Sequence, residues 1–553
     1  MSVKQFLGSD PDPCVDYRGM RALVVDDYPG MRSAFKNTLA NFGMTKIDLA
    51  TSASEAIYRV KHSNYDIIVC DYNLGDGRDG QQLLEELRHR QLMGLETAFV
   101  MVTAESLYEK VVSTAELAPD DYLIKPFNAE ILRSRLDTIL QRKLAFSDIY
   151  RLFAKGDPEA AMVACDELIK ERPKYVVDAL RFKGELLNAM GQFDEAEALY
   201  KKILEMRAVP WARLGLAKAL HLQDKQEEAE ELLADIIEQS PEMVAAYDLL
   251  CDVRLSKKDA AGAQEALEMG TSISAKTVRR QQKLGEIAYR NGDLTTAQKA
   301  ITTALDKGRH SIFVSAKDYA DLCRVQVEQG NLKGAADTLK DGKTVMQETP
   351  EGQLAAAVMQ GMLHTKAGRT DMAQRALDEA SRLRKSGVRG DERLMLDMAE
   401  SCMQNGRHEE CDEIVASVAR NAHDSEALLS KAKKLYADAG RAEAGGRVLS
   451  QATAAVRTLN NEGVMLAQKG QLRAGVEKLR QAAREAPYNP RVAMNAAWVM
   501  LRLMEAEGLE HDLMGEADHL LDTAENLAPG HARIPGLRSK MREIEQRFGI
   551  RRH

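Results

Sequence analysis

The sequence predicts two architectures in one chain: a doubly wound α/β domain with a five-stranded parallel sheet, followed by a long all-α repeat region. Up to residue 127, short apolar strands alternate with amphipathic helices. From residue 144 onward the strands end, and paired helices recur with a period of about 34 residues. With 5% aromatic residues, 14 prolines and 29% charged residues in 553, the composition favours helices and excludes an all-β or disordered chain.

Charge and hydropathy exclude several classes of function. The net charge of −8 comes from 76 basic and 84 acidic residues spread along the chain, so general attraction to nucleic acid or to an anionic membrane is not favoured. The longest apolar runs, such as residues 67–70 and 99–102, have the length of strands and not of the ~18 residues that span a membrane. Acidic residues and prolines occupy the place of a signal peptide. We expect a cytoplasmic protein whose seven cysteines are reduced and buried.

The first domain is predicted from its alternating elements. Runs rich in Val, Ile and Leu predict strands at residues 20–25, 47–50, 66–70, 97–103 and 122–125. Helices are predicted near 30–42, 54–62, 80–91 and 106–117, with a fifth after Asn128. Five strands alternating with five helices predict a doubly wound parallel sheet. The functional crevice of such a sheet lies at the carboxyl ends of its strands.

Polar residues collect at these strand ends. The residues at or just after the first, third, fourth and fifth strands are Asp26, Asp27, Asp71, Thr103, Lys125 and Pro126. Three carboxylates in one crevice would repel each other and raise a pKa unless a cation were present. Oxygen ligands in small number suit Mg²⁺, so the pattern predicts a magnesium site.

Residues 20–143, with these motifs, resemble the receiver domain of two-component response regulators, which has a flavodoxin-like fold. The resemblance implies a bacterial signalling protein that takes a phosphoryl group from a histidine kinase or a phosphotransfer protein. By motif position Asp71 is the phosphoacceptor. Asp26 and Asp27 match the acidic pair that holds Mg²⁺ together with Asp71, and the backbone carbonyl of Asn73 matches the remaining protein ligand.

The resemblance also implies roles for the other strand-end residues. Lys125 and Thr103 would contact the phosphoryl oxygens, and Thr103 with Tyr122 would form the family's switch pair. Pro126 matches a position that carries a cis peptide bond in the family. One departure is the loop DYNLGDGRDG, which is one residue longer than the common pattern up to Gly80 and has Leu74-Gly75 in place of Met-Pro. No enzyme activity is expected beyond the domain's own phosphotransfer and autodephosphorylation.

The second region repeats a helix pair. Small residues recur early in each second helix, at Ala161, Ala196, Ala229, Ala263, Ala297, Ala335, Ala373, Cys411, Ala444, Gly475 and Ala517. Glycine-containing loops such as NGDL join the paired helices, and Pro precedes several units. This pattern resembles the tetratricopeptide repeat and implies a superhelical solenoid of about eleven helix pairs. We place an extension at 1–19, the receiver at 20–143, the repeats at 144–530, and a capping helix with a basic tail at 531–553.

Arrays that resemble these bind extended peptides or helices on the concave surface lined by the first helix of each unit. By motif position the groove candidates are Arg181, Glu185, Asn188, Asp248, Asp252, Arg279, Gln282, Glu286 and Tyr289. This mixture lacks the run of Lys and Asn that captures a carboxyl-terminal peptide in some family members. The partner is therefore predicted only as a protein or peptide.

The junction between the two regions contains no Gly or Pro from Asn128 to Lys155, so the receiver's last helix is predicted to run into, or turn directly onto, the first repeat helix. Such a junction transmits a change where a flexible linker would not. We expect phosphorylation of Asp71 to change how the repeats are oriented, dimerise or display their groove. Two alternatives stay open: a transcriptional or RNA regulator that binds nucleic acid through the repeats, and a phosphate sink with a scaffold.

Overall fold

The computed structural model describes residues 15–75, 77–104, 118–207, 209–275, 277–528 and 531–549. The chain divides into two compact units, Met1–Asn188 with Gln192–Val314 and Ala189–Gly191 with Ser315–His553. The first unit contains the α/β domain and the first five helix pairs. Within the described ranges, no helix has the length and apolar character needed to cross a membrane.

The α/β domain contains the five predicted strands in one parallel sheet. They are β1 (Arg21–Val25), β2 (Lys46–Ala50), β3 (Ile67–Asp71), β4 (Ala98–Thr103) and β5 (Asp121–Ile124). Their order is β2-β1-β3-β4-β5, and every neighbouring pair is parallel. Each strand begins and ends within one residue of its predicted bounds. The doubly wound, flavodoxin-like fold predicted from the sequence is confirmed.

Helices cover both faces of this sheet. They are α1 (Pro29–Asn41), α2 (Ala53–His62), α3 (Gly80–His89) and α4 (Ala129–Ala145), and the helix predicted near 106–117 lies outside the described residues. Successive strand residues point to opposite faces, so β4 supplies Phe99 to one hydrophobic cluster and Val100 to the other. Burial on both faces explains why the strands are continuous apolar runs instead of alternating ones.

The junction between the domain and the repeats is a single residue. α4 ends at Ala145, and α5 (Ser147–Ala154) begins after Phe146. The Phe146 N–H donates to the Arg142 carbonyl at 3.1 Å, and its own carbonyl accepts from the Tyr150 N–H at 2.9 Å. Helical hydrogen bonding therefore continues on both sides of Phe146, and the chain turns directly onto the first repeat helix.

The remaining helices form the repeat region. They are α6 (Pro158–Glu171), α7 (Val176–Ala189), α8 (Phe193–Met206), α9 (Pro210–Leu222), α10 (Gln226–Gln239), α11 (Val244–Ser256), α12 (Ala260–Ile273), α13 (Val278–Arg290), α14 (Leu294–Lys307), α15 (Ala316–Glu328), α16 (Leu332–Asp341), α17 (Lys343–Gln347), α18 (Pro350–Lys366), α19 (Thr370–Lys385), α20 (Glu392–Gln404), α21 (His408–Asn421), α22 (Glu426–Asp438), α23 (Ala442–Gln468), α24 (Leu472–Glu485), α25 (Pro490–Glu507), α26 (His511–Leu527) and α27 (Arg533–Arg547). α27 buries Ile534, Leu537, Met541 and Ile544 against the preceding helices, as a capping helix does.

Small residues lie where paired helices cross. A Cβ atom on Gly184 would come within 2.4 Å of the Tyr200 hydroxyl oxygen, and one on Gly285 within 2.5 Å of Ile301 Cγ1. These close approaches explain why the alignment of units finds small residues at fixed offsets. The cysteines of the described residues are free and buried, as predicted, and Cys14 lies outside these residues.

The ninth and tenth units differ from the prediction. Ala444 was assigned to the second helix of one pair, and Gly463, twelve positions before Gly475, stands in the predicted first helix of the next pair. Both residues lie in α23, a single helix of 27 residues. Ala444 and Gly475 are only 31 positions apart, and α23 contains no proline. Because the spacing leaves no residues for a turn and no proline interrupts the helix, hydrogen bonding continues from one unit into the next.

Two adjacent glycines of α23 make a matched pair for a stability test. A Cβ on Gly445 would lie 2.4 Å from Cγ of the buried Tyr436, whereas a Cβ on Gly446 would meet nothing within 4 Å. We expect Gly445→Ala to lower the free energy of unfolding by about 1–3 kcal/mol through overpacking. Gly446→Ala should raise it by up to about 1 kcal/mol through helix propensity. Denaturant unfolding of both variants checks this, and shifts of the same sign would contradict it.

Candidate functional site

Three carboxylates meet at the carboxyl edge of the sheet. Asp26 and Asp27 follow β1, and Asp71 is the last residue of β3, the neighbouring parallel strand. Asp26 is buried, Asp71 half-buried and Asp27 exposed, and each offers an oxygen atom within 4.8 Å of the other two. The sheet order produces this cluster because parallel neighbours end at the same edge.

Lys125 supplies a positive charge to this cluster. Its Nζ donates to Asp71 Oδ1 at 2.9 Å and lies 3.8 Å from Asp26 Oδ2. Its backbone N–H donates to the Thr103 carbonyl at 2.7 Å, which fixes the end of β5 beside β4. The Lys125–Pro126 peptide bond is cis, as the resemblance implies. One ammonium group leaves the three carboxylates with excess negative charge.

The electrostatics of the site favour a bound cation. Burial raises the pKa of Asp26, and the nearby Asp71 and Asp27 carboxylates raise it further. Burial also raises the pKa of Asp71, against the opposing effect of Lys125. Asp26 Oδ2 is buried and has no hydrogen-bond partner among the described residues. A buried carboxylate oxygen that accepts no hydrogen bond and lies beside two further carboxylates fits the oxygen-rich coordination that Mg²⁺ prefers.

The predicted switch residues lie on the neighbouring strands. Thr103 ends β4 and is 3% exposed, and it pairs in register with Ile124 of β5. Tyr122 pairs with Met101 and is buried in the hydrophobic cluster that contains α2 and α3. The aromatic ring therefore already points inward in this structure.

The loop after Asp71 has its own geometric requirements. Gly75 has φ +74°, and a Cβ there would approach Asp27 Oδ2 to 3.0 Å. Its N–H donates to the Asn73 side-chain oxygen at 3.2 Å. A Cβ on Gly80 would lie 2.4 Å from the Asp71 carbonyl oxygen. Glycine at position 75, where the common pattern has proline, can adopt the left-handed conformation. This conformation lets the loop pass close to the acidic cluster.

The same loop and the helix after it contact the repeats, a feature that sequence reasoning missed. Arg78 Nε donates to the His310 carbonyl at 2.9 Å, and Gln82 Nε2 donates to the Lys307 carbonyl at 3.3 Å. The His89 ring lies edge-on to Phe313, with ring centroids 5.2 Å apart. We call residues 307–313 the receiver-contact loop. No local pattern could reveal this contact, since the partners are more than 200 residues apart in the chain.

The charged groove candidates of the first unit are largely held in ion pairs, one of them between two candidates and three with neighbouring basic residues. The ion pairs are Asp248 with Arg280 at 2.6 Å, Asp252 with Lys283 at 2.5 Å, Arg181 with Glu185 at 3.5 Å and Glu286 with Arg290 at 2.5 Å. Asn188 is only 6% exposed, so little of its side chain is accessible to a partner. Tyr289 is half-buried.

Two other groove candidates support the receiver-contact loop instead of facing a free groove. The Arg279 guanidinium lies over the Phe313 ring, 5.3 Å from its centroid. Gln282 donates to the Phe313 carbonyl at 2.7 Å. Helix α13 therefore holds Phe313 from one side while His89 of the receiver holds it from the other.

Comparison with known proteins agrees with both parts of the chain. The family model of the response regulator receiver domain matches residues 22–137, and a tetratricopeptide repeat model matches 152–209 and 187–251. Chemotaxis protein CheY-3 of Vibrio cholerae is 32% identical over 131 residues, which are 23% of this chain and 95% of that protein. CheY of Pseudomonas aeruginosa is 31% identical over 123 residues, covering 22% and 98%. The chain belongs to the response regulators. Its receiver is CheY-like and is followed by tetratricopeptide repeats, which places it in two-component signalling.

Solved structures are similar to parts of the chain. Response regulator TrrA of Thermotoga maritima, solved in complex with Mg²⁺ and BeF, is 30% identical, covers 22% of this chain and 99% of its own, and has a TM-score of 0.20. MamA of Desulfovibrio magneticus is 22% identical, covers 30% and 95%, and has a TM-score of 0.26.

Proposed function

We propose that the protein accepts a phosphoryl group on Asp71 from a histidine kinase or a phosphotransfer protein and thereby controls protein binding by its repeats. The observation that carries this proposal is the meeting of Asp26, Asp27 and Asp71 with the Lys125 ammonium, 2.9 Å from Asp71. We propose no catalytic activity beyond phosphotransfer and autodephosphorylation.

The residues divide the chemistry between them. An Asp71 carboxylate oxygen would attack phosphorus as the bond from phosphorus to the donor breaks, which leaves an acyl phosphate. The charge of the phosphoryl group in flight lies on its peripheral oxygens, so positioning and charge neutralisation dominate. Lys125 can move its hydrogen bond from Asp71 to one of these oxygens, and the Thr103 hydroxyl at the end of β4 would donate to another.

The carboxylates of Asp26, Asp27 and Asp71, with the Asn73 carbonyl, are the groups that would hold Mg²⁺. When bound, this ion supplies positive charge to a phosphoryl oxygen. The raised pKa values of Asp26 and Asp71, and the absence of a hydrogen bond to Asp26 Oδ2 among the described residues, support this assignment. Asn73 lies in the exposed loop, and the ligand that it would offer to Mg²⁺ is its backbone carbonyl and not its side chain.

Incubation of the full chain with Mg²⁺ and an acyl phosphate tests the proposal. Intact-mass spectrometry should show the gain of one phosphoryl group, and a chelator should prevent it. A mass that stays unchanged with Mg²⁺ present, for both the acyl phosphate and a phosphorylated phosphotransfer protein, would refute the proposal.

The route from Asp71 to the repeats is short. The phosphoryl group adds a charge of roughly −1.5 to −2 at the start of the loop between β3 and α3, and Arg78 lies in this loop. Arg78 in turn holds the receiver-contact loop through the His310 carbonyl. The contact exists in the unmodified chain, and a rearrangement of this loop around a phosphoryl group would move Arg78 away from the His310 carbonyl. We infer that phosphorylation opens the contact between α3 and the receiver-contact loop.

Removal of the contact residues should mimic this opening. In the double variant Arg78→Ala/His89→Ala, the hydrogen bond to His310 and the aromatic contact with Phe313 are lost, together worth about 1–3 kcal/mol. The variant also loses the ion pair of Arg78 with Glu86 at 3.2 Å, but Glu86 keeps its ion pair with Arg90 at 3.2 Å. Amide hydrogen exchange in residues 307–313 should then accelerate roughly tenfold or more. His62→Ala, on the exposed side of α2, is the control and should change nothing there.

Beryllofluoride treatment of the wild type should accelerate exchange in the same residues. Unchanged exchange after treatment, with phosphotransfer intact, would contradict the proposed coupling through Arg78 and the receiver-contact loop. It would not contradict the assignment of Asp71 as the phosphoacceptor.

A further inference from the structure

A polar groove lies in the second unit between the carboxyl-terminal half of α23, the start of α25 and the first turn of α27. Its volume is about 280 Å³, and its lining residues are Asn460, Asn461, Val464, Met465, Gln468, Arg491, Asn495 and Arg533. The set contains two arginines, four side-chain amides and no carboxylate. α23 and α25 contribute first helices of their units here, so the groove lies on the surface that tetratricopeptide arrays use for binding.

The two arginines of this groove have no acidic partner within the described part of the chain. Burial lowers the pKa of Arg533, and the positive charge of Arg491 lowers it further. Other arginines of the same unit are paired: Arg480 lies 2.7 Å from Glu516, and Arg473 lies 2.7 Å from Glu507. The groove therefore concentrates positive charge that the protein leaves uncompensated.

Buried amides fix the position of Arg533. Asn495 and Asn460 are 8% and 7% exposed, and Asn495 Nδ2 donates to Asn460 Oδ1 at 3.0 Å. Both terminal nitrogens of Arg533 donate to Asn495 Oδ1 at 3.2 Å. A guanidinium carries five N–H donors, so donors remain for a ligand. Ordering of a cation by buried polar groups pre-organises it for an anion.

We propose that this groove binds the side-chain carboxylates of an acidic peptide. Carboxylates are the planar anions that arginine donors bind most specifically. Val464 and the exposed Met465 offer apolar contact for the methylene groups of glutamate. Arg491 and Arg533 both stand in the first turn of a helix, where the helix dipole disfavours cations but favours an anion. The inference rests on the proposed function in that it names a class of partner for the repeats.

Part of this groove occupies the same motif position as a groove candidate of the first unit. Asn460 stands three positions before the small residue Gly463, as Arg181 stands before Gly184. What the sequence does not show is that Arg533 of the capping helix reaches Asn495 of α25.

The test is a fluorescence titration of the unphosphorylated full chain with three labelled probes. They are a peptide of alternating Glu and Ala with blocked ends, its Gln counterpart, and the Gln peptide with a free carboxyl terminus. We expect the Glu peptide to bind most tightly and its affinity to fall with added salt. Arg491→Glu and Arg533→Gln should each weaken it about tenfold or more, whereas Arg484→Glu, exposed on α24 outside the groove, should not.

Equal affinity for the Glu and Gln peptides would overturn the proposal. So would preferential binding of the free carboxyl terminus, or displacement of the Glu peptide by equimolar inorganic phosphate. Thermal melting of each variant verifies folding. Arg533→Gln removes the charge but keeps an amide NH₂ donor, so it tests the proposal even if Arg491→Glu misfolds. Titration of Asp71→Asn in parallel separates the two proposals: this variant should bind the Glu peptide like the wild type even though it cannot accept a phosphoryl group.

Discussion

Replacing Asp71 with asparagine is expected to abolish phosphoryl transfer to the protein under conditions in which the wild type is fully modified. The amide removes the nucleophilic carboxylate and one oxygen of the acidic cluster, while the size of the side chain and the hydrogen bond position near Lys125 are nearly preserved. The loss should therefore be chemical and not a consequence of unfolding. Intact-mass spectrometry after incubation with Mg²⁺ and an acyl phosphate measures it.

A matched control is Asp16→Asn. Asp16 is exposed, pairs with Arg18 at 2.9 Å and lies outside the acidic cluster. This variant should be modified like the wild type. Lys125→Met offers a second comparison, since it keeps the nucleophile but removes the ammonium that neutralises the phosphoryl oxygens. We expect about a 10²- to 10³-fold slower transfer, in the range seen when one preorganised donor is removed. Full modification of Asp71→Asn would show that another residue is the phosphoacceptor.

The second large effect is expected from Arg324 in the second unit. This side chain is 2% exposed, and its Nε donates at 2.5 Å to Asp397, which is 1% exposed. Asp397 also accepts from Lys431 Nζ at 3.0 Å. In Arg324→Met the Asp397 carboxylate loses its buried partner, which typically costs about 3–5 kcal/mol. Denaturant or thermal unfolding should show the second unit melting well before its wild-type transition.

Two further variants distinguish the effect of leaving the Asp397 carboxylate without its buried partner from the effect of replacing an arginine side chain in general. Arg324→Met/Asp397→Leu removes the buried pair and should recover much of the lost stability, since apolar replacement of a buried pair is often neutral. Asp321, the second carboxylate that pairs with Arg324, keeps its ion pair with Lys317 at 2.8 Å in this variant. Arg382→Met breaks the exposed pair with Glu379 and should leave the melting temperature unchanged. If Arg324→Met melted like Arg382→Met, the buried network would have no role in stability.

The receiver could be predicted almost completely from the sequence. The strand bounds and the residues of the acidic cluster follow from one rule: apolar runs form parallel strands, and the residues that follow them meet at one edge. The order β2-β1-β3-β4-β5 comes from the structure. The small residues at helix crossings were equally predictable, because Gly184 faces Tyr200 and Gly285 faces Ile301 at the same offset of 16 residues. Each of these features depends on local periodicity, which the sequence carries directly.

Other features depend on which surfaces the folded chain brings together. The fusion of two units into α23 depends on a spacing too short for a turn, and the burial of Asn188 on how its helix is rotated in the array. The contact of Arg78 with His310 joins residues 232 positions apart.

By itself, the sequence determined the class of the protein, its phosphoacceptor candidate and its repeat architecture. Only the tertiary structure decided where the receiver touches the repeats and which arginines stay unpaired, because charge pairing depends on the distances between side chains of different helices and not on their order in the chain.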